Sequence, residues 1–316
     1  MKKFWIFFVS FFVLGLIYIY AFVPSKIQVS KIEFANCNVN GASRVISDKN
    51  TWEKWWPQKP DDKKINPKSQ SDGFFYDDSY FQLTGKYYNA VAISIENDNS
   101  KIDSRLNLIK VNSDSTVLMW KCEVDAGLNP LKRIVNYYHA SEVYDDMTDI
   151  LIALRSFLKE RENVYGIDFH ITMSKDSTLV AIKKTTDHYP ATSEIYQLIN
   201  KLKNYIHLNK AAENNFPMLH VKKTGDQFET MVAIPVNKEL PGNGDIFFSR
   251  FVPWKVLTAE VKGGNATVEN AFQEMKIFIR DYQKSVMAIP FASLVTDRSK
   301  EPDTSKWVTS IYTPVP

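Results

Sequence analysis

Cysteine is almost absent: Cys37 and Cys122 are the only two in 316 residues. They form no CxxC pair, which argues against a structural zinc site. Histidine is scarce too. His139, His170, His188, His207 and His220 make no HxH or HxxxH pair, and no cysteine stands beside one in ligand spacing. No GxSxG elbow, phosphate loop or GxGxxG fingerprint occurs. No metal and no cofactor is therefore expected. An excess of one charge sign is also missing, with 39 Lys and Arg against 36 Asp and Glu. A nucleic-acid binder carries a basic stripe; here the cations are scattered among the anions, so no nucleic acid is expected as a partner.

The long hydrophobic run is what stands out. Phe4 to Val23 carries no charge and stops at Pro24. A helix of that length spans about 30 Å, the thickness of a bilayer's hydrocarbon core. Trp5 near one end, and Tyr18 and Tyr20 near the other, suit the two interfaces. Lys2 and Lys3 precede the run, and Lys26 and Lys31 follow it. That slight bias favours a cytoplasmic N-terminus, with the remaining chain extracytoplasmic (periplasmic in a Gram-negative cell). The alternative is a cleaved signal peptide, with Ile19-Tyr20-Ala21 as a poor cleavage site. The run exceeds the usual apolar core of such peptides and ends in bulky aromatics, which favours a retained single-pass anchor over residues 1–24. The rest, in a chain 44% hydrophobic and 13% aromatic, is ample for two packed domains.

Residues 25–162 read as a strand (Ile27 to Asn36), two short helices (Asn40 to Ser47, Asn50 to Trp56) and a Pro/Lys/Asp-rich loop from Pro57 to Gly73. Strand-like runs follow at Phe74–Tyr76, Tyr80–Thr84, Ala90–Glu96, Arg105–Val111 and Val117–Val124. Turn clusters, among them Asn97-Asp98-Asn99-Ser100, separate the later ones, as in an antiparallel meander. Met147, Ile150, Leu151, Leu154 and Leu158 then mark a long helix, with Asp145-Asp146 at its head as N-terminal charges. Strands followed by one striped helix imply an α+β fold, a sheet curved around that helix. Cys37 and Cys122 both fall in strand-like segments. They read as small buried hydrophobes, with a disulfide left open for an exported domain.

Trp52-Glu53-Lys54-Trp55-Trp56-Pro57, the Val117-Leu118-Met119-Trp120 strand, Pro130 and the amphipathic helix resemble the START-like superfamily, also called SRPBCC or polyketide-cyclase-like. The resemblance implies an apolar cavity for lipids or other hydrophobic molecules. It implies no catalytic residue, since the family shares a fold and not a reaction. Trp52, Trp55, Trp56 and Trp120 read first as packing residues, with Trp120 kept as a candidate ligand contact.

Residues 163–316 contain an internal repeat. Phe228-Glu229-Thr230-Met231-Val232-Ala233-Ile234-Pro235-Val236 matches Trp307-Val308-Thr309-Ser310-Ile311-Tyr312-Thr313-Pro314-Val315: aromatic first, Thr third, Pro-Val last. Thr192-Ser193-Glu194 and Thr267-Val268-Glu269 each open a striped helix. Strands at Thr178–Lys184 and Lys255–Lys262 precede the helices, and Phe291–Thr296 and Trp307–Thr313 follow the second. The unit is β-α-β-β twice, expected as one sheet with both helices on one face and a groove on the other. Gly263-Gly264 reads as turn geometry. This repeat and its closing T.I..PV resemble the gyrase-inhibitory-protein-like family, the effector-binding domain of AraC- and MerR-type regulators. That resemblance implies a small-molecule groove between the repeats. Where many such domains carry an acidic ligand contact, this chain has Ala292 or Ser293, which puts recognition of a cation there in doubt.

Glu229 and Glu260 remain as acidic candidates, and Trp254, Trp307 and Tyr312 as aromatic linings of the groove. For each carboxylate the blander reading is a solvated strand face. The leading expectation is a membrane-anchored binder of a small, largely hydrophobic molecule, a carrier or sensor and not an enzyme. A cyclase- or hydrolase-type enzyme and a protein-interaction scaffold remain as alternatives.

Overall fold

The computed structural model describes residues 2–57, 73–97, 100–174, 177–251 and 253–316. Most of the expected Pro57–Gly73 loop, and Asp98-Asn99 of the expected turn, lie outside them. The chain forms two compact units, Met1–Val164 and Tyr165–Pro316.

The first unit opens with helix α1 (Lys2–Phe22). Its Phe4–Phe22 stretch has a mean hydropathy of 2.3, none of it buried, and is long and apolar enough to cross a membrane. Strand β1 (Lys26–Ala35) leads into α2 (Val39–Ser47) and α3 (Lys49–Trp55). Asn38 and Asp48 start these two helices, each side chain accepting from a backbone N–H two residues on. Strands β2 (Gly73–Tyr76), β3 (Ser79–Tyr87), β4 (Ala90–Asn97), β5 (Ser100–Lys110) and β6 (Thr116–Asp125) then run as a meander. The six strands form one antiparallel sheet in the order β1-β6-β5-β4-β3-β2, so the first strand returns to pair with the last.

Helix α4 (Pro130–Lys159) closes the unit before the short α5 (Arg161–Tyr165). It starts earlier than its apolar stripe suggests. Asn129 caps it and Pro130 takes the first turn, where a missing N–H costs nothing. Asp145-Asp146 therefore sits in mid-helix, and the reading of these residues as N-terminal helix charges is corrected. Met147, Ile150, Leu151, Leu154 and Leu158 are all buried, as the stripe requires. Facing them, Trp52 stacks on Trp56 at 5.3 Å, and Phe81 meets Trp120 edge-on at 6.0 Å. The indole N–H groups of Trp52 and Trp56 donate to the Ile46 and Phe75 carbonyls, which offsets the cost of burying them.

The second unit begins with β7 (His170–Met173). Strand β8 (Ser177–Thr186), helix α6 (Thr192–Leu208) and strands β9 (Met218–Thr224) and β10 (Gln227–Val236) form one β-α-β-β half. After β11 (Ile246–Phe251), strand β12 (Lys255–Lys262), helix α7 (Asn265–Asp281) and strands β13 (Phe291–Leu294) and β14 (Val308–Pro314) form the other. The sheet order is β11-β8-β10-β9-β13-β14-β12-β7. The matched runs at 228–236 and 307–315 thus lie in β10 and β14, the middle strand of each half. The edges are exchanged: β7, which precedes the first half, pairs with β12 of the second, and β11, which precedes the second, pairs with β8 of the first.

Register settles which face each residue takes. Leu219, Ala292, Ile311 and Ala259 lie side by side across four strands. Leu219 packs in the α6 core, and Thr313, two residues on from Ile311, donates to Met275 of α7. Both helices therefore cover the same face.

The same reasoning decides the cysteines. Cys37 lies just past Ala35, the partner of Thr116, whose hydroxyl donates to the Cys37 carbonyl at 2.8 Å. Cys122 is six residues further along β6, about 20 Å away at the strand rise. A disulfide needs Cα atoms within about 7 Å. Neither thiol is in a disulfide and both are buried, and burial pushes that of Cys122 up to about 11. Ellman's reagent should leave the native protein untouched and titrate two thiols after denaturation. Reaction of either thiol in the native state would contradict this packing.

Candidate ligand-binding site

The second unit holds a cavity of about 290 Å³ beneath α7, over the central strands β9 and β13. Helix α7 is amphipathic. Ala271, Met275 and Phe278 bury into the sheet, while Val268, Phe272 and Ile279 border the cavity. Strand β13 is four residues long and meets β9 only through Ala292↔Leu219 and Ser293↔Met218. The methyl group of Ala292 fills little of the space there. This cavity is on the helical face, whereas the sequence points to a groove on the opposite one.

Polar groups gather at the start of α7. The helix opens at Asn265, two residues before the expected Thr267, behind Gly264, which offers no capping side chain. Gly263 holds φ at +141°, and a Cβ there would sit 2.7 Å from the Thr267 hydroxyl, so only glycine fits the turn. Arg298, in the loop after β13, is 6% exposed and borders the cavity. Its guanidinium donates to the Asn265 side-chain oxygen at 2.8 Å and to the Thr309 hydroxyl at 2.7 Å. It also lies over the Trp307 ring at 4.6 Å. Its Nε is buried with no hydrogen-bond partner. Burial lowers its pKa, opposed only in part by Tyr196 and Tyr189. Among the described residues no carboxylate pairs with it. The backbone N–H of Arg298 donates to the Tyr196 hydroxyl at 2.6 Å, which pins the loop to α6.

His220 of β9 also borders the cavity at the thin seam, although its register partner Met231 places it on the helix-free face. Its Nδ1 lies 2.7 Å from the Pro290 carbonyl, so that nitrogen carries the proton in the neutral ring. Burial holds its pKa below the ordinary imidazole value.

None of the six sequence candidates borders this cavity. Trp120 is fully buried in the first unit, its indole N–H donating to Ser104 at 2.9 Å. Glu229, Glu260 and Tyr312 lie on the helix-free face of the second sheet by register. Glu229 pairs with Lys183 at 3.3 Å, and Tyr312 stacks on Phe291 at 4.9 Å. Trp254 is in the turn before β12, 37% exposed. Trp307 comes nearest in role, since its ring supports Arg298 and its N–H donates to the Glu301 carbonyl. Sequence reasoning missed Arg298. A single arginine in a polar loop carries no periodic signal. A second recess, of about 280 Å³, lies on the first unit, where His139 meets Asn97 and Ser100.

No family model matches the chain, and no curated protein matches it. Several solved structures match parts of the chain at low similarity. The C-terminal domain of EcmrR is 16% identical, covers 48% of this chain and 98% of its own, and gives a TM-score of 0.40. SAV2435 bound to tetraphenylphosphonium is 17% identical, with coverages of 48% and 94% and a TM-score of 0.31. A START superfamily protein from Mycobacterium smegmatis is 14% identical, with coverages of 41% and 97% and a TM-score of 0.29.

The His220 environment has a pH consequence. A folded-state pKa below the unfolded one means the unfolded chain takes up the proton first on acidification. The stability from this histidine is full above the unfolded value of about 6.5 and is lost as pH falls below it. Exposed His188, raised by Asp187 and Glu194, acts in the opposite sense. In a proton-detected NMR titration His220 should titrate below His188, with Nδ1 protonated in its neutral form. The reverse order would refute the buried geometry.

Proposed function

We propose that this chain is a membrane-tethered small-molecule-binding protein, acting as a carrier or sensor. On this reading the first unit is a START-like domain and the second a duplicated effector-binding-like domain. The observation that carries it is the cavity under α7. At about 290 Å³ it is near the lower end of ligand pockets, and it joins apolar walls from Val268, Phe272 and Ile279 to polar groups, of which Asn265 and Arg298 are fixed together at the start of α7. Binding sites for small molecules have that composition: apolar area for affinity, a few fixed polar groups for orientation. A ligand of one or two fused rings, or a short chain, suits the volume.

The tether rests on α1. Its Tyr20 hydroxyl donates to the Leu128 carbonyl at 2.6 Å, and Arg133 lies over the Tyr20 ring at 4.7 Å. The helix end is thereby fastened to the start of α4, where Leu128, Leu131, Val135 and Tyr138 are all exposed. An apolar stripe beside the end of a spanning helix suits the headgroup boundary of a bilayer. A hydrolase or cyclase using Glu229 or Glu260 gains no support, because neither carboxylate borders the cavity.

Native mass spectrometry of the full chain released from membranes tests both parts. A mass of 36.4 kDa would show a retained N-terminal segment, and a smaller mass a cleaved one. A small molecule lost on denaturation is expected to accompany the chain. Val286 borders the cavity and is 50% exposed, so Val286→Trp can obstruct it without disturbing the core. The variant should lose the co-purifying molecule at unchanged folding. Retention of the molecule would place its site elsewhere and sink this assignment.

A further inference from the structure

We infer that the ligand of this cavity is an anion: an aromatic or aliphatic body bearing a carboxylate or similar oxyanion, seated beside Arg298 at the start of α7. The inference rests on the reading of the cavity as a ligand site.

Three observations converge. First, Arg298 is a guanidinium at 6% exposure whose side-chain acceptors, Asn265 and Thr309, are both neutral. Burying a cation is expensive unless an opposite charge repays it. Here no carboxylate does so among the described residues, and Nε keeps an unused N–H. A ligand oxyanion in the cavity beside Arg298 would supply the missing countercharge, which arginine is suited to pair with.

Second, Asn265, which Arg298 holds, is the first residue of α7. That helix has neither a capping side chain nor an acidic residue in its first turn. Its N-terminal N–H groups and positive dipole end therefore add to the field of Arg298 instead of being neutralised internally. Third, Lys276 lies about three turns along α7 on the cavity wall, with no ion pair among the described residues; being exposed, it adds to the positive field only weakly, through solvent. The competing anion is Glu269, an exposed residue on the same helix. A carboxylate in water attracts a cation weakly through solvent. A ligand cation entering the cavity would also meet a buried arginine and a helix N-terminus, both repulsive.

The test compares three probes of one shape on the full chain in phosphatidylcholine nanodiscs, with empty nanodiscs as the blank: 2-naphthoate, 2-naphthylmethanol and 2-naphthylmethylammonium. Calorimetry should give 2-naphthoate at least tenfold tighter binding than the alcohol, and the ammonium the weakest. Val286→Trp should abolish naphthoate binding. Arg298→Lys, which keeps the charge, should retain part of the preference. Lys276→Gln, at an exposed site about three turns away, should reduce it less than Arg298→Lys does. Equal binding of acid and alcohol would overturn the anionic pole while the cavity remained a ligand site. Tightest binding by the ammonium would overturn it in favour of Glu269. Failure of all three probes to bind would remove the ligand-site reading, and this inference with it.

Discussion

The second unit depends on a narrow seam. Its two β-α-β-β halves join in one sheet where β9 meets β13, and the paired residues there are Ala292↔Leu219 and Ser293↔Met218. One further backbone bond, from the Leu294 N–H to the Pro217 carbonyl, extends the contact. So short a junction contributes few hydrogen bonds of its own, each worth only about 1 kcal/mol net. The halves are tied more firmly at their outer edges. Strand β7 precedes the first half but pairs with the second, and β11 does the reverse. This exchange lets the middle stay thin without letting the halves separate, and the thin middle is where the cavity lies. A longer β13 with a bulkier residue than Ala292 would zip the seam and fill the space.

That arrangement explains why part of the architecture can be read from the chain and part cannot. The α4 stripe from Met147 to Leu158 repeats at three and four residues because one helix face meets one core, so the pattern is local. The repeat is visible because β10 and β14 occupy equivalent positions between their neighbours and face the same demands. The edge strands leave no such mark. His170 to Met173 is short and exposed throughout, and its existence as a strand is decided by β12, far along the chain. The start of α4 was missed for a different reason. Its first three turns expose Leu131, Val135 and Tyr138, so the apolar face there does not continue the stripe that packs on the sheet. Asn129-Pro130 was the local signal that did mark it.

The site residues follow the same division. Aromatics and carboxylates in strands attract attention, but a strand shows alternate residues to opposite faces. With Ile311 and Thr313 turned towards α7, Tyr312 has to face away, and Glu260 and Glu229 are turned away by the same register. Facing is not a property of residue type, so it could not be read before the helices were placed. Arg298 is the converse. Nothing in Asp297-Arg298-Ser299 distinguishes it from a solvated loop, and only the convergence of Asn265, Thr309 and Trp307 around it makes it a buried charge.

The position of Arg298 also bears on what binding would do. Its loop is held to α6 through the Tyr196 hydroxyl, to the start of α7 through Asn265 and to β14 through Thr309. The first of these contacts belongs to one half of the unit and the other two belong to the second. With neutral side-chain partners alone the guanidinium bears its desolvation cost, which weakens the node where the halves meet. A countercharge would relieve that cost in place, and a ligand that binds only the folded state stabilises it in proportion to the logarithm of its concentration over Kd. Affinity and the cohesion of the two halves would then rise together. That coupling suits a sensor: occupancy is felt at a seam already thin enough to respond.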